Sequence, residues 1–252
     1  MKKSRQWIPG RINFNLKRTA YAAVLIFFVF LTEKATSQDY QAWLDGFIIK
    51  PIGNSLENEV NIGAARLLEK DGWADYYICN TLTFTPFGWY MADGSVELHY
   101  SRDPQNQNLT EVRVFLGQKF SYPHFFEGIH LENPYMYMRL EQRFLHFIED
   151  GTDEVRTRLR LRGGARFLLN NTTLSSGTYY IPVYYEAFIN LNGEATERYA
   201  SRTRIVAGFG YAFSYRWRAE FYYYGQRSRN TIEDSFVKSD VMFQLQLRYY
   251  LR

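Results

Sequence analysis

Cys79 is the only cysteine in 252 residues. The chain therefore cannot form an internal disulfide or a thiolate metal cluster. Histidine is nearly as scarce, with only His99, His124, His130 and His146. No HExxH, CxxC, P-loop or GxGxxG pattern occurs, so zinc, redox and nucleotide chemistry have no support, and neither a cofactor nor a metal is expected. The GxSxG signature of a nucleophile elbow is also missing. Long helical periodicity is hard to find, and beyond residue 37 no run approaches the 18 consecutive apolar residues of a membrane-spanning helix.

The N-terminus differs from the rest. Lys2, Lys3, Arg5, Arg11, Lys17 and Arg18 precede AYAAVLIFFVFL (Ala20–Leu31), and the small residues Ala35 and Ser37 precede Gln38. A basic region, an apolar stretch of 12 residues and small residues before a cut read as a signal peptide over residues 1–37. The apolar stretch is short for an uncleaved anchor. This leader holds seven of the 30 basic residues and one of the 26 acidic ones, leaving 23 against 25 in the mature chain. The basic isoelectric point is thus largely a property of the leader and gives no reason to expect a nucleic-acid partner.

Aromatic residues make up 18% of the chain, and they fall in segments of period-two alternation that predict β-strands. The clearest are Met136–Phe147, Glu154–Leu169, Tyr179–Asn192, Ser201–Phe213, Tyr215–Gly225 and Val241–Arg252. Glu111–Phe120 and Ser95–Tyr100 alternate less cleanly, and Tyr40–Lys50, Glu59–Glu69 and Asp75–Phe84 only weakly. Tight connections at Thr85–Trp89 and Ser214–Trp217 contrast with longer polar ones at DPQNQN, EDGTDE, NGEATE and QRSRNTIEDSFVKSD. Short turns alternating with long loops are the pattern of an outer-membrane barrel. The segments number eleven, whereas an all-antiparallel closed barrel needs an even count. The expectation is an all-β, antiparallel up-and-down transmembrane barrel of 10–12 strands over residues 38–252, leaning to twelve.

A water-soluble sandwich alternates as well, with its apolar face inside. Three features favour the opposite orientation. The polar face is mainly arginine. The segments are long enough for a tilted membrane crossing. Trp43, Trp73, Trp89, Trp217 and the Tyr222–Tyr224 run fit an interfacial girdle at segment ends. Each arginine placed mid-membrane on a lipid face would cost roughly 2–4 kcal/mol. Arg156, Arg158, Arg160 and Arg162 therefore belong inside, with Leu159 and Leu161 outside. The same parity assigns Arg139, Glu141, Arg143, Glu186, Arg202, Arg204, Arg218, Glu220, Gln246 and Arg248 to the lumen, together with Arg113, Lys119, Glu97 and Glu111. Glu141, Glu186 and Glu220 are the expected bidentate partners of the guanidinium groups.

Four motifs occur in order: RLEQRF at Arg139–Phe144, RTRLRLR at Arg156–Arg162, YYEAFINLN at Tyr184–Asn192 and SRTRIVAGFGYAFS at Ser201–Ser214. Together they resemble a family of bacterial outer-membrane β-barrels catalogued as a domain of unknown function. The resemblance runs from about Tyr40 to Arg252 and is strongest after Arg113. It implies a barrel and an outer-membrane address reached through the signal peptide, with outer-membrane lipid and the barrel-assembly machinery as partners. It implies no reaction and no catalytic residue. Outer-membrane proteins commonly end in an aromatic residue, whereas this chain ends in Arg252 just after Tyr249 and Tyr250.

Three roles remain open at this point. A barrel filled by its own ion pairs would be structural, or would engage a periplasmic partner. Twelve inward basic groups against five acids would favour an anionic solute in a narrow pore. A lipid hydrolase would need a serine–histidine pair at the lipid-facing rim, and the four histidines give it little basis. The chain is therefore not expected to be an enzyme.

Overall fold

A computed structural model describes residues 39–68, 72–103, 108–122, 130–192, 201–229 and 237–251. The expected signal peptide over residues 1–37 and His124 lie outside the described residues. The described residues contain eleven strands and no helix: β1 (Asp39–Pro51), β2 (Leu56–Leu67), β3 (Ala74–Phe87), β4 (Tyr90–Arg102), β5 (Leu109–Ser121), β6 (Leu131–Phe147), β7 (Thr152–Leu168), β8 (Thr178–Asn190), β9 (Ser201–Ala212), β10 (Trp217–Arg229) and β11 (Val237–Tyr250). Parts of the sequence expected as loop, Gln226–Arg229 and Val237–Asp240, extend β10 and β11.

The strands close into a barrel in which each pairs with its sequence neighbours, and β1 completes the ring against β11. Every consecutive pair is antiparallel, but β1 and β11 are parallel, in register from Asp39↔Asp240 to Ile49↔Tyr250. The expected even count and wholly antiparallel ladder are corrected here. In an odd meander the first and last strands point the same way, so the ring can close only through the slanted bonds of a parallel pair. As a consequence Asp39 and Tyr250 stand at opposite ends of the barrel. The contrast between short and long connections is also weaker than expected. The Tyr250 end carries the tight turn between β3 and β4, but also the longer links between β5 and β6 and between β7 and β8.

Alternation along each strand separates two environments. Outward side chains are large, apolar and exposed: Leu116 is 69% accessible, Met136 63% and Ile62 58%. Inward side chains on the same strands are polar or aromatic and buried, among them Glu111, Glu141, Glu186, Glu220 and Asp240. This inverts the usual distribution of a protein in water. The weak alternation of β1 to β3 now has a cause. Trp43, Phe47 and Ile49 point into the barrel with Asp45, while Gly46, Lys50, Arg66 and Asn80 point out, so hydropathy does not track the two faces there.

Several inward glycines leave room for tyrosines from the adjacent strand. The Tyr77 ring lies across Gly63, Tyr180 across Gly210 and Tyr222 across Gly208, each pair directly opposite in register, and a Cβ at any of these glycines would overlap the ring. Trp43 and the Tyr222–Tyr224 run do not join an exposed girdle. Trp43 donates its indole N–H to Gln41, and Tyr222 and Tyr224 form an interior cluster with Val206 and Met242. Among the described residues Trp89 and Trp217 are the exposed tryptophans, Trp89 stacked on Phe87 and Trp217 tilted against Tyr249, each near a strand end.

Candidate functional site

The densest chemistry lies inside the barrel on β4 to β9. Antiparallel register sets Arg139 opposite Arg160 and Arg143 opposite Arg156, while Glu141 faces Arg158 and Arg162 faces Glu186. Like charges in facing positions repel, so the carboxylates between them decide whether the arrangement holds. Glu141, with no solvent exposure, accepts from Arg139 Nε at 2.6 Å and from Arg158 Nε at 2.6 Å. Glu186, equally enclosed, accepts from Arg162 Nε at 2.9 Å and from Arg160, with Arg204 at 3.9 Å. Glu111 accepts from Nε and Nη2 of Arg143, at 2.7 and 2.9 Å, and also from Arg113 Nε at 2.9 Å. Arg113 reaches on to Glu97 at 2.6 Å, and Arg156 pairs with Glu154. Such charge-assisted, partly bidentate bonds fix side-chain direction as well as contributing energy.

A single ring organises the guanidinium groups. Phe188 points inward from β8 between the arginine rows of β7 and β9. The guanidinium carbons of Arg202, Arg158, Arg160 and Arg204 lie 4.4, 4.9, 5.0 and 5.1 Å from its centroid. The negative face of an aromatic ring attracts cations at this range, and it separates cations that would otherwise meet directly.

The opposite wall is neutral to acidic. A hydrogen-bonded chain crosses the bore: Tyr184 donates to Tyr224 at 3.0 Å, Tyr224 to Gln244 and Gln244 to Asp45, which also accepts from Tyr77. A second chain runs from Arg204 Nε to Gln226 Oε1 at 2.8 Å and from Gln226 Nε2 to Asp240 at 2.7 Å. Glu220 accepts from Tyr180 at 2.8 Å and from Arg248 at 3.2 Å, and Arg248 also reaches Glu59 at 3.1 Å. These contacts link β1, β2, β3, β8, β9, β10 and β11 through the interior.

Of the lumen residues assigned from sequence, Arg139, Glu141, Arg143, Arg158, Glu186, Arg204, Glu220 and Gln246 are buried on the inward face. Arg156, Arg160, Arg162, Arg202, Arg218 and Arg248 are half-buried on that face. The sequence reading missed several inward carboxylates, among them Asp45, Glu59, Asp75, Asp93, Glu132, Glu154 and Asp240, and the inward Arg166, which pairs with Glu132. Asp240 shares the parity of Gln244, Gln246 and Arg248, so extending the β11 pattern backwards would have found it. With these included, the interior charges are closer to balance than the sequence suggested, and the arginines are concentrated on β5 to β9.

The described histidines have their own partners. His99 Nδ1 lies 3.1 Å from Asp75, which also accepts from Ser101 Oγ at 2.6 Å, and His99 Nε2 lies 3.4 Å from Glu97. Exposed His146 contacts Asp153 at 2.8 Å, and His130 contacts the Asn171 carbonyl at 2.9 Å. Among the described residues no serine hydroxyl bonds a histidine nitrogen.

Residues 41–237 match the family described as "Protein of unknown function (DUF2490)". No curated protein and no solved structure matches the chain.

Proposed function

We propose that this chain, which belongs to the DUF2490 family, is a bacterial outer-membrane barrel closed by its own ion pairs, serving as a structural or interaction element rather than an open pore or an enzyme. One contrast between neighbouring residues carries the reading: Leu140 is 48% exposed, while Glu141 beside it is fully enclosed. An exposed leucine row around a closed ring is costly in water and favourable in hydrocarbon, and strands in lipid must form closed barrels because an open edge leaves backbone groups unpaired. Glu141 and Glu186, each held by several arginines, occupy the space a solute would need. Residues 1–37 supply the export signal, outer-membrane lipid is the surrounding solvent, and insertion depends on the barrel-assembly machinery. The free barrel ends are where a periplasmic partner would dock.

A narrow anion-preferring channel is the second reading, favoured by the concentration of arginine on β5 to β9. Conductance separates the two. The refolded chain in planar bilayers is expected to give no sustained current. Reproducible anion-selective steps, abolished in Arg158→Glu and Arg160→Glu, would replace the closed barrel with the channel.

A further inference from the structure

The ion pairs of the bore do not balance locally. Ten guanidinium groups line β5 to β9: Arg113, Arg139, Arg143, Arg156, Arg158, Arg160, Arg162, Arg166, Arg202 and Arg204. The carboxylates they meet among the described residues are six: Glu97, Glu111, Glu132, Glu141, Glu154 and Glu186. The shortfall gathers at one residue. Arg202 packs on Phe188, its buried Nε has no hydrogen-bond partner, and no described carboxylate pairs with it. Its neighbours on that ring, Arg158 and Arg204, carry charge of its own sign. An enclosed donor without an acceptor is destabilising, the more so when it is charged. Arg202 stands one residue inside the start of β9, at the Asp39 end, where the half-exposed Glu154 marks the mouth of the bore.

We propose that this mouth is an oxyanion site, in which Arg202, with Arg158 and Arg204 beside it on Phe188, takes a phosphate-type group. A multi-oxygen anion suits several planar donors at once, as chloride does not. It would also supply negative charge that the described carboxylates of β5 to β9 do not. The phosphoryl group could arrive as free phosphate or on a lipid headgroup, and the chemistry of recognition is the same for both. The site lies inside the bore, so its existence is independent of what the outer wall faces.

The test uses the full mature chain refolded in a neutral detergent, with folding verified by its heat-modifiable electrophoretic mobility. Thermal unfolding is followed while inorganic phosphate replaces chloride at constant ionic strength. Phosphate is expected to raise the midpoint of the wild type. Arg202→Gln is expected to weaken the apparent affinity by about tenfold, the loss of one charge-assisted contact, while raising the midpoint in chloride because an unpaired cation is gone. Arg216→Gln, in an exposed turn at the far end, should behave as wild type. In a parallel arm, micelles doped with an anionic phospholipid replace free phosphate; stabilisation there that added phosphate does not increase identifies the headgroup as the source. No stabilisation by either phosphate source, or equal stabilisation of wild type and Arg202→Gln, would overturn the site. A closed, non-conducting barrel would stand in either case.

Discussion

At the scale of single residues, the interior follows one rule: a buried charge is tolerated where geometry supplies its counter-charge. Glu186 shows it most clearly, with no exposure and with Arg160, Arg162 and Arg204 around it. Removing one member of a buried ion cluster strands the others, at a cost of about 3–5 kcal/mol. Glu186→Gln is therefore expected to lower barrel stability by roughly that amount. Glu154, 39% exposed at the mouth and paired with Arg156, should lose only about 0–1 kcal/mol on the same change, because water screens the pair. Urea unfolding of both variants in detergent measures the difference. Equal losses would mean that the interior is wet and the Glu186 cluster is screened. The identity of these residues was legible in the sequence: strict alternation through RTRLRLR left no other face for Glu186 to share with Arg160 and Arg162. Phe188 sits on the same face, but nothing in its spacing revealed that it would stack with four guanidinium groups, because that arrangement needs three strands in register.

At the scale of elements, the sequence was most readable where hydropathy and direction coincide. From β5 to β11 arginine and glutamate point in while most leucines, valines and phenylalanines point out, with Phe115, Leu145, Phe188 and Val206 as inward exceptions, and the expected strands fall close to those observed. In β1 the rule fails because Trp43, Phe47 and Ile49 fill the interior, so apolar residues occupy both faces. The strand count was distorted by an assumption rather than by a residue: eleven segments were visible, and antiparallel closure seemed to demand another or one fewer. The parallel β1–β11 seam removes that demand. It can be tested by cross-linking on a Cys79→Ser background. Ala42 and Phe243 are direct partners with both side chains outward, so cysteines there are expected to form a disulfide on mild oxidation. Cysteines at Ala42 and Leu247, four residues out of register, should not. The reverse pattern, or an unlinked Ala42–Phe243 pair in folded protein, would point to a ring of ten or twelve strands.

For the whole molecule, an odd ring has a topological consequence that an even ring lacks. Its first strand begins at one mouth and its last strand ends at the other, so in a barrel inserted in one direction the chain ahead of Asp39 and the chain after Tyr250 start from opposite sides. Protease-cleavable epitopes placed ahead of Asp39 and after Tyr250 in proteoliposomes of uniform orientation should be cut from opposite sides. Loss of both to protease added from one side would contradict the parallel closure. The outward wall bears on the central claim, that the leucine rows meet hydrocarbon while the ion pairs close the interior. The direct measurement is collision-based electron paramagnetic resonance on nitroxides attached at Leu116, Leu140, Leu161 and Leu247, with Asn54 in an exposed turn as reference, all on the Cys79→Ser background in lipid bilayers. Expected are high accessibility to oxygen and low accessibility to a water-soluble nickel complex at the four leucine positions, with the opposite at Asn54. Nickel access at the leucines equal to that at Asn54, or a folded chain that stays in solution without detergent or lipid, would contradict it.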